Sequence, residues 1–240
     1  LMDAAQIEAL TTEQAHALSS AQLAALSTAQ LVKLQTQDLV ALSTEALQGL
    51  TVAQAAALTT AQVAALLTAQ VVALETADLA ALTNAQIVAL GSDQVKALTT
   101  EQIASLTTAQ VAALEAADFA LLSTAQIAAL LTADIAALTT AQVVALTTQQ
   151  ANALSSAQVA ALTTVQIVQL QAADLAALTT DAIVGLSTAQ VAELSTAQVR
   201  AMATNDLPAL TTAQIQALSA ALLGALSTAQ IKLLSAAQIA

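Results

Sequence analysis

Cysteine, tryptophan and tyrosine are absent from this sequence of 240 residues, and Phe119 is its only aromatic residue. Without cysteine there is no disulfide framework, no thiolate metal site and no cysteine nucleophile. Ordinary globular cores rely on aromatic side chains for much of their buried area. A core formed by this chain must therefore be thin and regular, and built from the Leu, Val, Ile and Ala that dominate its 58% of hydrophobic residues.

Positive charge is also scarce. The four basic residues are scattered along the chain, and the formal net charge is -12. This composition excludes the basic footprint of a nucleic-acid-binding protein and a polybasic membrane patch. The mean hydropathy is +0.76, yet Ser, Thr, Gln or Asp interrupts every octad, so no run of about 18 apolar residues is available to span a bilayer. We therefore expect no nucleic-acid partner and no membrane insertion.

What the chain does contain is a unit of eight residues, Leu-(Ser/Thr)-Thr-Ala-Gln-(Val/Ile/Leu)-Ala-Ala, repeated without insertion from Met2 onwards. Numbered from its Leu, position 5 is Gln in 21 and Asp in 6 of 30 octads. The repeat predicts one domain over residues 1–240. Because the chain starts and stops inside the repeat, we expect it to be an excerpt of a longer array, and no signal peptide is visible at Leu1.

A period of eight fits neither one long helix nor, readily, a β-solenoid. At 100° per residue, eight residues overshoot two helical turns by about 80°, so the Leu stripe would wind around the helix into water. A strand period of two divides eight, but the abundant Ala and Leu and the near absence of Gly and Asn at turns oppose strands.

A short helix in each octad fits every position. With Ser or Thr of position 2 as the N-cap, position 5 is the third helical residue, and Ser/Thr-x-x-Gln is a capping box. The apolar residues at positions 1 and 6 then form a hydrophobic staple, as expected for Leu58 and Val63 around Thr59 and Gln62. Where position 5 is Ala46 or Ala182, an acid one residue earlier complements the helix dipole.

Two-turn helices are unstable alone, so tandem copies must stack. We predict an all-α solenoid of helices of about two turns, one per octad, with three octads per coil favoured and two or four left open. Positions 1 and 6 should form the core, positions 4 and 8 should be Ala because coils approach closely there, and position 7 should be the most exposed. Pro208 should disrupt its helix and make residues 202–209 irregular.

No constellation for chemistry stands out, and we predict no catalytic, cofactor-binding or metal-binding residues and no enzymatic activity. His16 is the only histidine and is interpreted as a surface residue. The six position-5 aspartates are irregularly spaced and are interpreted as capping residues rather than as a calcium ladder. The Ser/Thr pairs have no accompanying general base, and no phosphate loop or paired-carboxylate pocket is present.

Three non-catalytic functions are compatible with such an array. The first is a spacer, stalk or scaffold in a larger protein. The second is an interaction scaffold that binds a partner on its outer face, although variable position 7 opposes a single epitope. The third is ice binding by a regular row of position-3 threonines. The two uncapped ends of the array are further candidate surfaces for self-association.

The tract Leu58-Thr59-Thr60-Ala61-Gln62-Val63-Ala64-Ala65 resembles the octapeptide tracts of very large bacterial surface and secreted repeat proteins, including adhesin-like and haemolysin-type ones. The resemblance extends over the whole chain, but the Gly/Asp-rich calcium nonapeptides of such proteins are missing. It implies a bacterial protein located outside the cell or on its surface.

Overall fold

The architecture is a succession of very short helices, seen in a computed structural model that describes residues 2–239. The first and last residues of the predicted domain 1–240 lie outside the described residues. Residues 2–239 contain thirty helices, one per octad, and no strand. The predicted all-α class is therefore confirmed. The chain divides into two compact units, Leu1–Leu121 and Leu122–Ala240, and each is described by itself.

The helices have four to six residues each, and among residues 2–239 none has the length and apolar character needed to cross a bilayer. The first unit contains α1 Ala4–Glu8, α2 Thr12–His16, α3 Ser20–Ala24, α4 Thr28–Leu31, α5 Thr36–Ala41, α6 Thr44–Leu47, α7 Val52–Ala57, α8 Thr60–Ala65, α9 Thr68–Ala73, α10 Thr76–Ala81, α11 Asn84–Val88, α12 Ser92–Ala97, α13 Thr100–Ser105, α14 Thr108–Ala113 and α15 Ala116–Phe119. The second contains α16 Thr124–Ala129, α17 Thr132–Ala137, α18 Thr140–Ala145, α19 Thr148–Asn152, α20 Ser156–Ala161, α21 Thr164–Gln169, α22 Ala172–Ala177, α23 Thr180–Ile183, α24 Thr188–Ala192, α25 Thr196–Ala201, α26 Asp206–Ala209, α27 Thr212–Gln216, α28 Ala220–Ala225, α29 Thr228–Lys232 and α30 Ala236–Ile239.

Each helix begins at a capping box, as predicted. In α8, the backbone N–H of Gln62 donates to Thr59 Oγ1 at 3.1 Å, and the backbone N–H of Thr59 donates to Gln62 Oε1 at 2.9 Å. The helix ends at Leu66, whose φ of -56° and ψ of 139° are extended. The next residue is already the following N-cap, also extended. Two extended residues therefore suffice to redirect the chain between helices.

Three octads make one coil. In the first unit α7 packs between α4 and α10, and in the second α22 packs between α19 and α25. Each helix thus contacts the third helix before it and the third after it, which corresponds to a repeat of 24 residues. The favoured value of three octads per coil is confirmed within each unit, and the alternatives of two and four are wrong.

The core consists of positions 1 and 6, as predicted. Every position-6 side chain from Ile7 to Ile215 is at most 3% exposed. Position-1 residues from Leu34 to Leu218 are buried as well. Phe119 occupies position 6 and is fully buried, so the only aromatic side chain replaces an aliphatic one in the same core.

The predicted role of position 4 is wrong. Position 4 is exposed in every octad, so no neighbouring coil approaches it, whereas position 8 is half-buried in most octads. The preference for Ala at position 4 has a local cause, because Ala has the highest intrinsic helix propensity and position 4 lies in the first helical turn. Position 7 is exposed in most octads, as predicted, but so are positions 2 and 3.

The octad that contains Pro208 is irregular, as predicted. Its helix begins only at Asp206, two residues later than in a regular octad, and Asn205 has the helical values φ -81° and ψ -13° instead of the extended N-cap conformation. The octad still joins the core, because Met202 and Leu207 are buried.

Candidate functional site

The most regular chemical feature of the chain is the side-chain amide of position 5. In Gln62 the Oε1 atom belongs to the capping box, while Nε2 donates to the carbonyl oxygens of Leu31 at 3.0 Å and Leu34 at 2.9 Å. These acceptors lie 31 and 28 residues earlier, at the end of a helix in the preceding coil. The amide thus caps its own helix and also serves the carbonyl groups that a helix C-terminus leaves without partners.

The same pair of bonds recurs through both units. In the second unit, Gln190 Nε2 donates to the carbonyl oxygens of Val159 and Leu162 at 2.9 and 2.6 Å. The glutamines that make both bonds are Gln54, Gln62, Gln70, Gln86, Gln94, Gln102, Gln110, Gln158, Gln166, Gln190, Gln198, Gln230 and Gln238. Sequence reasoning predicted the cap and missed this amide ladder between coils.

Aspartate at position 5 cannot take part in the amide ladder, because a carboxylate has no N–H to donate. All six aspartates are nevertheless buried. Two of them accept a hydroxyl hydrogen bond from the preceding coil: Asp118 from Ser92 Oγ at 2.5 Å, and Asp206 from Thr180 Oγ1 at 2.9 Å. The predicted capping role is confirmed for Asp134 and Asp206, which accept the backbone N–H three residues earlier.

Burial changes the titration of four of these carboxyl groups. It raises the pKa of Asp38, Asp134 and Asp174 above the usual range because desolvation disfavours the charged form. The pKa of Asp78 is raised by burial and, secondarily, by the nearby charge of Glu75. Both carboxyl oxygens of Asp38 and one each of Asp78 and Asp174 lack a hydrogen-bond partner. Within residues 2–239, no three His, Cys, Asp or Glu side chains are grouped so that they could hold a metal ion.

His16 is exposed, as predicted, but it also makes a bond between coils. Its Nδ1 lies 2.9 Å from the carbonyl oxygen of Ala41, 25 residues later, and must carry the proton there because a carbonyl only accepts. Asn152 Nδ2 and Arg200 Nε donate to carbonyl oxygens at the same separation, at 2.8 and 3.3 Å. A polar side chain at position 7 can therefore link one coil to the next.

The Ser/Thr hydroxyls of position 2 act as helix caps rather than as nucleophiles. Thr99 Oγ1, for example, accepts the backbone N–H of Gln102 at 3.1 Å. Positions 2 and 3 are exposed in most octads and form rows along each face of the coils. One such row in the second unit carries four successive exposed threonines at position 3, one per coil, namely Thr140, Thr164, Thr188 and Thr212.

Comparison with known proteins identifies the repeat. The family model of the ALTTAQ repeat matches residues 31–68, 71–108, 111–148, 127–164, 167–204 and 199–236, which together cover most of the chain. Among curated proteins, none matches the sequence. The predicted tandem repeat is therefore confirmed.

Proposed function

The chain belongs to the ALTTAQ repeat family, and on this basis we propose that it is a non-catalytic spacer, stalk or scaffold within a larger bacterial surface or secreted protein. The observation that carries the proposal is the amide ladder, in which the most regular polar groups of the repeat are spent on joining one coil to the next. A coil that binds only its two neighbours can be multiplied to any length without a new interface.

A spacer must hold its two ends apart, and this can be measured on the purified chain. Electron microscopy together with small-angle X-ray scattering should show particles of uniform width that are much longer than wide. A compact globule would overturn the proposal. A variant that replaces buried Val63 and Val71 by Asp provides a control for loss of the fold, since burying an unpaired charge is strongly unfavourable.

The proposed location rests on the resemblance to bacterial surface and secreted repeat proteins. It is compatible with a chain that lacks cysteine and has a strong acidic excess. An antibody raised against the repeat should label intact cells of the organism that encodes it, or its culture medium. Labelling that requires lysed cells would overturn the extracellular assignment and leave the spacer role to be judged by the shape measurement.

Ice binding is a second candidate because of the threonine row in the second unit. Beside Thr140, Thr164, Thr188 and Thr212 lie Thr139, Thr163, Ser187 and Thr211, which are also exposed. The row thus presents pairs of hydroxyl groups at a regular interval of one coil. The intact chain should then inhibit ice recrystallisation, and Thr164→Lys with Thr188→Lys should abolish the inhibition. Thr60→Lys with Thr68→Lys, in the first unit, is the matched control, and no inhibition by the intact chain ends the idea.

A further inference from the structure

The first coil of the chain, residues 2–25, carries three glutamines whose amide donors are unused. Gln6, Gln14 and Gln22 accept the N-cap N–H at 2.8, 2.9 and 2.8 Å, so their capping boxes are complete. All three residues are exposed, and among residues 2–239 their Nε2 atoms have no acceptor. We call the surface formed by these three amides the donor face.

The last coil, residues 217–239, has the opposite deficiency. The amide ladder reaches its end at Gln238, which donates to the carbonyl oxygens of Leu207 and Leu210. Continued by one coil, the same intervals of 31 and 28 residues would next use the carbonyl oxygens of Ile215, Leu218, Leu223, Leu226, Ile231 and Leu234. No side chain of residues 2–239 donates to Leu218, Leu226 or Leu234, whose carbonyl groups define the acceptor face.

The acceptor face also leaves apolar side chains uncovered. Ile231 and Ile239 occupy position 6, which is at most 3% exposed as far as Ile215, yet they are 40% and 66% exposed. Leu223, also at position 6, is 38% exposed. These side chains are of the type that a further coil covers elsewhere in each unit.

The donor and acceptor faces are in register with each other. The chain of 240 residues equals thirty octads, so residue 6 of a second copy falls in the phase of residue 246. Gln6, Gln14 and Gln22 of that copy then stand 31 and 28 residues beyond the free carbonyl groups of the acceptor face. We propose that a second copy of this chain docks its donor face on the acceptor face of the first, head to tail, through the same amide ladder that joins coils inside each unit.

The charges of the two faces are complementary. The donor coil carries Asp3, Glu8 and Glu13, whereas Lys232 is the only charged side chain of the acceptor coil. Lys232 also occupies position 7, from which His16, Asn152 and Arg200 reach a carbonyl oxygen 25 residues later. In the stacked pair that acceptor is the carbonyl oxygen of Ala17 in the second copy.

Because the two faces differ, the contact is heterologous and does not close on itself, so copies add without limit. Sedimentation velocity of the intact chain over a range of concentrations should show a series of growing oligomers. The triple variant Gln6→Glu, Gln14→Glu and Gln22→Glu retains its capping oxygens but presents carboxylates to carbonyl groups. It should raise the concentration required for dimerisation by about tenfold or more.

The matched control is Gln48→Glu, Gln149→Glu and Gln169→Glu, which adds the same charge at exposed positions away from both faces. It should associate like the unchanged chain. A variant with Ile231→Asp and Ile239→Asp blocks the acceptor face instead. Mixed in equal amounts, the donor-blocked and acceptor-blocked variants should form a single dimer through their remaining faces, whereas each alone is a monomer. Circular dichroism confirms that each variant folds.

Three results overturn the proposal: an intact chain that stays monomeric at every concentration, a charge control that dissociates as readily as the donor-face variant, or blocked variants that fail to pair when mixed. None of them bears on the proposed spacer role, which a monomer could fulfil and which the shape measurement tests separately.

Discussion

Gly49 lies against Ser20 in the preceding coil so closely that a Cβ atom on Gly49 would overlap the carbonyl group of Ser20. Gly185 has the same relationship with Ser156. Both glycines occupy position 8 of an octad in which Ala replaces the position-5 glutamine. Loss of the long amide side chain and loss of the Cβ atom therefore accompany a closer approach of the two coils.

Replacement of either glycine by alanine should destabilise the chain. Gly49→Ala and Gly185→Ala force a methyl group into backbone atoms that cannot easily move, and overpacking of this kind costs about 1–3 kcal/mol. Gly224→Ala is the matched control, because it lies within α28 with nothing within 4 Å of the added Cβ. It should stabilise by about 0.5–1 kcal/mol. Urea unfolding followed by circular dichroism measures all three, and equal effects at Gly49 and Gly224 would contradict the close approach.

The amide ladder predicts that glutamate cannot replace glutamine in the interior. Gln102→Glu keeps the capping oxygen that accepts from Thr99 but places a carboxylate against the carbonyl oxygens of Val71 and Leu74, now 2.9 and 3.0 Å from Nε2. The free energy of unfolding should fall by about 1–3 kcal/mol or more, as for a buried group left without its partner.

Two further variants separate the ladder from the cap. Gln22→Glu makes the same change in the first coil, where Nε2 has no partner in the described chain, and should leave stability nearly unaltered. Thr99→Ala removes only the cap hydroxyl of α13 and should cost about 1 kcal/mol. If Gln102→Glu is no worse than Thr99→Ala, the bonds between coils contribute little to stability.

Buried aspartates should make the chain more stable in mild acid than at neutral pH. Burial raises the pKa of Asp78 and Asp174, so the folded chain binds their protons more tightly than the unfolded chain does. The resulting stabilisation is complete below the ordinary aspartate pKa of 3.8 and is lost as the pH rises through the raised values.

The measurement is the free energy of unfolding as a function of pH. Asp78→Asn with Asp174→Asn should flatten its decrease between acid and neutral pH and should stabilise the chain at pH 7. Asp181→Asn removes one negative charge at an exposed residue and serves as the control. An unchanged pH profile in the double variant would show that these carboxyl groups titrate alike in the folded and unfolded chain.

Pro208 should be the most easily improved residue. Proline has no N–H, so the octad of α26 cannot form the bond that would extend its helix back towards Thr204. Pro208→Ala should stabilise the second unit by about 1 kcal/mol or more, since proline is far less favourable than alanine inside a helix. Hydrogen exchange should show new protection of amides in residues 204–208, and no gain would mean that Ala203, in place of a capping residue, is the cause of the irregularity.

Local features of the fold were predictable from the sequence because their signals are only a few residues apart. A capping box joins residues three apart and a staple joins residues five apart, so the octad itself contains both. The burial of positions 1 and 6 follows from the same unit. The count of three octads per coil was favoured rather than derived, because it depends on contacts between residues more than 20 apart.

The amide ladder left one signal in the sequence that reasoning missed. A capping box accepts either Glu or Gln at its last position. This acidic chain has 21 Gln and no Glu there, although Glu would also suit the helix dipole. The exclusion of Glu indicates that the amide nitrogen itself is required. The hydrogen bonds of position 7 left no such signal, because His16, Asn152 and Arg200 share nothing but a donor.

Pairs of unusual residues recur at a separation of 136 residues, or seventeen octads, namely Ser20 and Ser156, Asp38 and Asp174, Ala46 and Ala182, and Gly49 and Gly185. The pairing includes residues that contact each other across coils, so the closely approaching arrangement recurs as a set. The buried acid and the missing glutamine are therefore parts of one longer internal repeat rather than separate defects.

The three-octad coil has a mechanical consequence. The bonds that hold successive coils together join residues only 25 to 31 apart, so a pulling force applied to the ends can detach one coil without disturbing those beyond the next. Each detached coil of 24 residues releases roughly 80 Å of extended chain. Under load the protein would then lengthen in equal steps and recoil when the force is removed, which limits the peak tension on whatever it connects.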